Sequence, residues 1–104
     1  REAPSIVMIE ALLEAGAKVV AYDPQARKSA RTIFGERVTF SSQSYDALTK
    51  ADALGILTEW NEFREPDFER MRRLMKAPVI FDGRNLFDTE QMELHGFRYY
   101  SIGR

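Results

Sequence analysis

The sequence has no cysteine, which excludes a disulfide framework, a thiolate metal site and a cysteine nucleophile. Its single histidine, His95, is too few for a histidine metal site or a paired-histidine metalloprotease. No apolar run approaches the ~20 residues that cross a bilayer, and nothing at the start resembles a secretory signal. Neither G-x-G-x-x-G nor G-x-x-x-x-G-K occurs, so there is no glycine-rich phosphate loop. Charge of one sign is also missing. Fifteen Lys+Arg stand against 16 Asp+Glu, for a formal net charge of -1. No global field therefore recruits nucleic acid, and any anion site must be local. The chain opens on Arg1 rather than Met, as expected of a piece of something longer. The default expectation is a cytoplasmic protein with neither nucleic acid nor membrane as partner.

What is present is ordinary globular material. The 104 residues are 44% hydrophobic and 30% charged, enough for one compact domain and against disorder. Ile6, Ile9, Leu12 and Leu13 recur at helical spacing after Pro4, and Gly16 is a natural stop, so residues 3–16 are predicted helical. "AKVVAYDP" predicts a strand ended by Asp23-Pro24, "QARKSARTIFG" a helix closed by Gly35, and "RVTF" a second strand. "SSQSYDALTKA" predicts a helix capped by Ser42 or Ser44. "DALGILT" is the next strand, and "EWNEFREP" a loop mixing polar and aromatic residues. "PDFERMRRLMK" predicts an amphipathic helix with Phe68, Met71, Leu74 and Met75 on one face. "APVIFDG" is a strand, "DTEQMELHG" a helix capped by Asp88 and stopped by Gly96, and "FRYYSIG" a last strand.

Strands and helices alternate throughout, which predicts a three-layer α/β/α, Rossmann-like domain over residues 1–104, with a mainly parallel sheet of about five strands. Such sheets keep ligands outside the carboxyl ends of their strands. Here those ends are Tyr22-Asp23-Pro24, Thr58-Glu59-Trp60, Asp82-Gly83-Arg84-Asn85 and Ser101-Ile102-Gly103-Arg104.

Each candidate on that rim has a plain alternative. Asp23 could meet a ribose, although a turn or cap is its commoner job. Glu59, Trp60 and Phe63 offer a carboxylate beside stacking surfaces, or else aromatic pins for a long loop. His95, at a helix end, suits the helix dipole or the surface and is assigned no chemistry. Arg84 follows a strand end and a glycine, and its rigid fork of donors suits phosphate or carboxylate. Its plain alternative is a surface ion pair with Asp82 or Glu59. Asn85 reads equally as a ligand contact, a turn residue or a cap. Arg1 stands before the first helix, where it could reach an anion held at the helix N-terminus, or equally be a disordered terminal residue.

Three stretches in order, "REAPS", "TEWNEF" and "FDGRN", together with the closing "GFRYYSIGR", resemble the C-terminal, UDP-binding domain of the UDP-glucose 6-dehydrogenases, within the UDP-glucose/GDP-mannose dehydrogenase family. The resemblance covers essentially the whole chain. It implies a parent enzyme that oxidises a nucleotide sugar's C6 alcohol to a carboxylate by two hydride transfers to NAD. It further implies an N-terminal NAD-binding domain as neighbour, a homo-oligomeric parent, and a catalytic cysteine, lysine and aspartate outside this sequence. Arg84 matches the family's UDP-sugar arginine, and Arg1 an arginine that reaches NAD. A Phe-Lys pair and a central strand would lie upstream of Arg1. Without that strand, the remaining ones would close together or pair with another copy. The alternatives are a purely structural or oligomerisation module of the same enzyme, a dehydrogenase for another UDP-sugar such as UDP-N-acetylmannosamine, and a receiver-like regulatory domain. The last lacks the paired acids and the late lysine that receivers keep.

Overall fold

The computed structural model describes residues 3–23, 27–57 and 65–101. Along the chain they form α1 (Ala3–Glu14), β1 (Val19–Ala21), α2 (Arg27–Phe34), β2 (Val38–Phe40), β3 (Leu54–Ile56), α3 (Phe68–Leu74), β4 (Val79–Asp82), α4 (Thr89–Leu94) and β5 (Arg98–Ser101). All strand pairing is parallel, as the alternation predicts. The strands form two sheets, β1–β2 and β3–β4–β5, and the chain divides into two compact units, residues 1–47 and 48–104.

The single sheet of about five strands expected from the sequence is therefore divided, its five strands lying in two sheets, and one element also differs from expectation in a way that fits this division. The stretch from Ser41 to Lys50 holds a single 3-10 turn, Tyr45–Leu48, where a capped helix is expected. The Ser41 hydroxyl binds the chain locally, accepting from Gln43 N at 3.2 Å and lying 2.6 Å from Gln43 O. Lys50 then takes a left-handed φ of 58°. Serine's habit of bonding its own backbone competes with helix propagation here. Parallel neighbours need a long crossover, usually a helix. α2, α3 and α4 supply one within each sheet.

The first unit packs α1 and α2 with the β1–β2 pair. Its end signals hold. Gly16 has φ +89°, Gly16 N donates to Leu13 O and Ala17 N to Leu12 O, both at 3.0 Å. This is a Schellman closure, which needs the left-handed residue that glycine supplies cheaply. Burial is thin: among the described residues of this unit only Phe34 and Val38 are buried, while Val7 and Val20 are exposed. Among its described residues Arg37 pairs with Glu10, two guanidinium nitrogens meeting two carboxylate oxygens at 3.0 and 2.9 Å.

The second unit carries most of the core. Ile56, Ile80 and Tyr99 alternate with exposed Phe81 and Tyr100, so one face of β3–β4–β5 is buried and the other presents aromatic rings. Met71 from α3 and Met75 at its C-terminal cap, Met92 from α4, and Phe87 and Phe97 fill the buried side. Phe68, on the face predicted apolar, sets its ring against Phe87, His95 and Phe97 at centroid distances of 5.3, 4.6 and 6.0 Å. α3 starts at an Asp67 cap whose carboxylate accepts from Arg70 N at 3.0 Å. α4 starts at Asp88, which accepts from Gln91 N at 3.2 Å, and stops at Gly96 with φ +88°.

The bidentate hydrogen bond from Arg37 holds the Glu10 carboxyl below its usual range. A carboxyl with a depressed folded pKa adds stability above its unfolded pKa and loses it as pH falls through the folded value. The exposed pair therefore gives a small acid-side loss confined to the carboxylate range. Glu10→Gln is expected to flatten that part of a thermal melting profile against pH and leave neutral-pH melting nearly unchanged. An unaltered acid limb in the variant would show that the pair carries none of it.

Candidate functional site

The site is built on the turn that follows β4. Asp82 ends the strand on its buried face, two residues from Ile80, and is itself fully buried. No cation is recorded against its carboxylate among the described residues. Hydrogen-bond donors surround it instead. Oδ1 accepts from Arg84 N at 2.9 Å. Oδ2 accepts from Leu86 N at 2.7 Å, Phe87 N at 3.3 Å and the Tyr99 hydroxyl at 2.6 Å. A buried charge is tolerable only when so solvated, and short charge-assisted bonds are the strong kind. One carboxylate thus folds residues 84–87 around itself.

The residues after it each have a physical reason. Gly83 N donates to Ile56 O at 2.9 Å, and a Cβ at Gly83 would stand 3.2 Å from that same oxygen, closer than it accommodates without shifting. Asn85 takes φ +56°, a left-handed conformation that asparagine tolerates better than most residues. Ser101, in register with Asp82 on β5, donates through Oγ to Asn85 Oδ1. Between these fixed points Arg84 is exposed, and no ion pair is recorded for its guanidinium among the described residues. The surface pairing with Asp82 considered from the sequence is therefore not formed, because Asp82 binds the Arg84 backbone and faces inward.

The other sequence candidates fall differently. Arg1, Glu59, Trp60, Phe63 and Arg104 lie outside the described residues. Asp23 is half-buried after β1, in the first unit, and has bonded partners. His95 is the exposed C-terminal cap residue of α4, with its ring against Phe68. Among the described residues no group of acidic or histidine side chains has the arrangement of a metal site, and no helix is long and apolar enough to cross a membrane. Sequence reasoning placed Arg84 on the rim but missed the residues that hold it, Asp82, Tyr99 and Ser101. The available clue was Asp-Gly at a strand end, with two hydroxyl residues at alternate positions of the final strand.

Parallel strands joined by helices define a Rossmann-like α/β protein, and Arg84 stands at a strand's carboxyl end, where such folds keep their ligands. The chain belongs to the UDP-glucose/GDP-mannose dehydrogenase family, whose UDP binding domain matches residues 1–89. It is 45% identical over 104 residues to a UDP-glucose 6-dehydrogenase of Rhizobium meliloti (strain 1021), covering 100% of this chain and 24% of that protein. A UDP-glucose 6-dehydrogenase of Bacillus subtilis (strain 168) is also 45% identical over 104 residues, with 23% of its length covered. The chain thus spans about a quarter of the length of the curated relatives it matches. Among solved structures it resembles an NDP-N-acetyl-D-galactosaminuronic acid dehydrogenase from Methanosarcina mazei Go1. That match has a TM-score of 0.77 at 25% identity and covers 100% of this chain and 21% of the other.

Asp82→Ala leaves three backbone N–H groups, one buried and two part-buried, without their acceptor and leaves the Tyr99 hydroxyl only the Phe87 carbonyl. Each such loss costs about 1–3 kcal/mol before relaxation, so a total of about 3 kcal/mol or more is expected in urea unfolding. Arg84→Ala, at an exposed position, should change stability by less than about 0.5 kcal/mol. Equal, small losses in both variants would show that the carboxylate does not organise the turn.

Proposed function

We propose that this chain is the UDP-binding portion of an NAD-dependent UDP-glucose 6-dehydrogenase, with Arg84 as its contact to the nucleotide. The observation that carries the reading is the exposed Arg84, set on a turn fixed by a buried carboxylate, in a family matched through its UDP binding domain. An arginine's planar fork binds phosphate oxygens in pairs. At a near-neutral protein surface, such a fork is what makes an anion site local.

The parent reaction takes the C6 alcohol of UDP-glucose to the carboxylate of UDP-glucuronate, passing two hydrides to NAD. With no cysteine in this chain, its nucleophile belongs to another part of the enzyme, as do the assisting lysine and aspartate. This chain therefore binds and does not catalyse. Arg1, which corresponds to the family's NAD-contacting arginine, is the proposed cofactor contact. Most of the NAD site lies in a neighbouring NAD-binding domain. A homo-oligomeric parent and a cytoplasmic location complete the reading.

A second reading treats the domain as a packing module of the same enzyme. It is favoured by exposed apolar side chains, among them Val7 at 67% exposure and the stacked pair Phe81 and Tyr100. UDP titration separates the two, followed by calorimetry or by NMR shifts of the 83–87 amides. UDP binding is expected to weaken by ~1.5–3 kcal/mol in Arg84→Ala, the range for a hydrogen bond to a charged group. UDP-glucose and UDP-N-acetylmannosamine titrated in parallel report how much of the sugar this domain reads. Equal affinity of wild type and Arg84→Ala would remove the arginine from the nucleotide site.

A further inference from the structure

We propose that β5 positions the nucleotide-binding turn through two hydroxyls, with Tyr99 acting on it from inside through Asp82 and Ser101 from the rim through Asn85. The inference rests on the reading of Arg84 as the nucleotide contact and adds residues that touch no ligand themselves.

The geometry is specific. Tyr99 is in register with Ile80, so its side chain lies on the same buried face as Asp82, two residues farther along β4. From there its hydroxyl lies 2.6 Å from Asp82 Oδ2 and 3.0 Å from Phe87 O. A hydroxyl has one proton, and the shorter bond to the carboxylate takes the larger share of it. The Tyr99 ring is buried beside Phe87, with centroids 6.4 Å apart. The same hydroxyl therefore touches both ends of the 82–87 turn, its carboxylate anchor and its last carbonyl. Two residues on, Ser101 is in register with Asp82 and its Oγ reaches Asn85, the residue with left-handed φ.

What these bonds secure is the placement of an otherwise untethered side chain. The backbone N–H of Arg84 is pinned to Asp82 Oδ1, while its guanidinium has no recorded ion pair among the described residues. The position of the guanidinium is then inherited from the turn. Asn85 in a left-handed conformation costs free energy that neighbouring bonds must offset. Remove a β5 hydroxyl and the turn samples other arrangements, so the ordering is left for the ligand to impose, which weakens affinity.

The test is a double-mutant cycle on UDP binding by this chain, using Tyr99→Phe, Arg84→Ala and the pair, with near-ultraviolet circular dichroism confirming folding. Tyr99→Phe keeps the buried ring and deletes the hydroxyl. It is expected to raise the Kd for UDP about tenfold on its own and less than twofold in the Arg84→Ala background. A residue that merely supports folding would not show that dependence on Arg84. Hydrogen exchange supplies a second readout, with the Leu86 and Phe87 amides expected to lose protection in Tyr99→Phe. Should Tyr99→Phe fail to fold, Ser101→Ala at the rim takes its place in the same cycle, with the same expected coupling. A Kd within twofold of wild type, or an effect that simply adds to that of Arg84→Ala, overturns the proposal and leaves the reading of Arg84 intact. A wild-type chain that takes up no UDP overturns both.

Discussion

A carboxylate removed from water has to be solvated by the protein, and Asp82 is the point where this chain meets that constraint. Its oxygens gather the N–H groups of Arg84, Leu86 and Phe87 together with the Tyr99 hydroxyl. The direction of dependence matters. The turn does not happen to place four donors near an acid. The acid would be untenable in the interior without them, so the chain from Gly83 to Phe87 has to curl back over the strand end. Several features then follow. Glycine stands at 83 because the backbone there lies against the Ile56 carbonyl. Asparagine stands at 85 because the curl passes through a left-handed residue. Phe87 drops into the core and meets Phe68 and Tyr99. Asp88 is brought to the position from which it caps α4.

The features legible in the sequence were those fixed by local chemistry. Gly16 and Gly96 mark helix ends because the left-handed closing residue is costly for anything but glycine, and both occupy it. Asp88 was recognisable as a cap because an acid three residues before an amide is a short-range pairing. The parallel strand pairing followed from alternation alone. The Ser41–Lys50 stretch misled because serine signals a cap and a local turn equally, and only the surrounding structure decides between them. Asp82 was read only as a strand-end residue and a surface partner for Arg84, and its central role was not visible. That role depends on Tyr99, 17 positions later, whose reach is set by the register of β4 and β5. Register between strands is a tertiary property, which spacing along one chain does not encode. Arg84 itself was found by its place on the rim, and its function was weighted by the resemblance rather than by any local pattern.

The two units are unequally consolidated. The second combines a three-stranded sheet with a buried side of methionines and aromatic rings. The first has a two-stranded sheet, two buried side chains among its described residues, and exposed valines on α1 and β1. A parallel sheet is ordinarily covered on both faces, and hydrophobic burial is the main favourable contribution to folding. The unit that carries the turn after β4 is therefore the one able to hold it rigidly.

A buried anion directly behind an arginine proposed to bind a phosphate looks self-defeating, since its charge would repel the phosphate and attract the guanidinium. The hydrogen-bond pattern resolves the conflict. Had the carboxylate paired with the guanidinium, the arginine would be neutralised and turned inward, and a nucleotide would have to compete for it. Instead both oxygens are engaged by backbone dipoles and one hydroxyl, with the arginine contributing only its N–H. The positive ends of those dipoles point at the acid, which offsets the field it would otherwise project. Arginine at 84 is then fixed through its main chain, and among the described residues no ion pair compensates its charge at the surface. Asparagine at 82 would not reproduce this. Its amide would turn donors toward donors, so the site requires a carboxylate that binds no ligand at all.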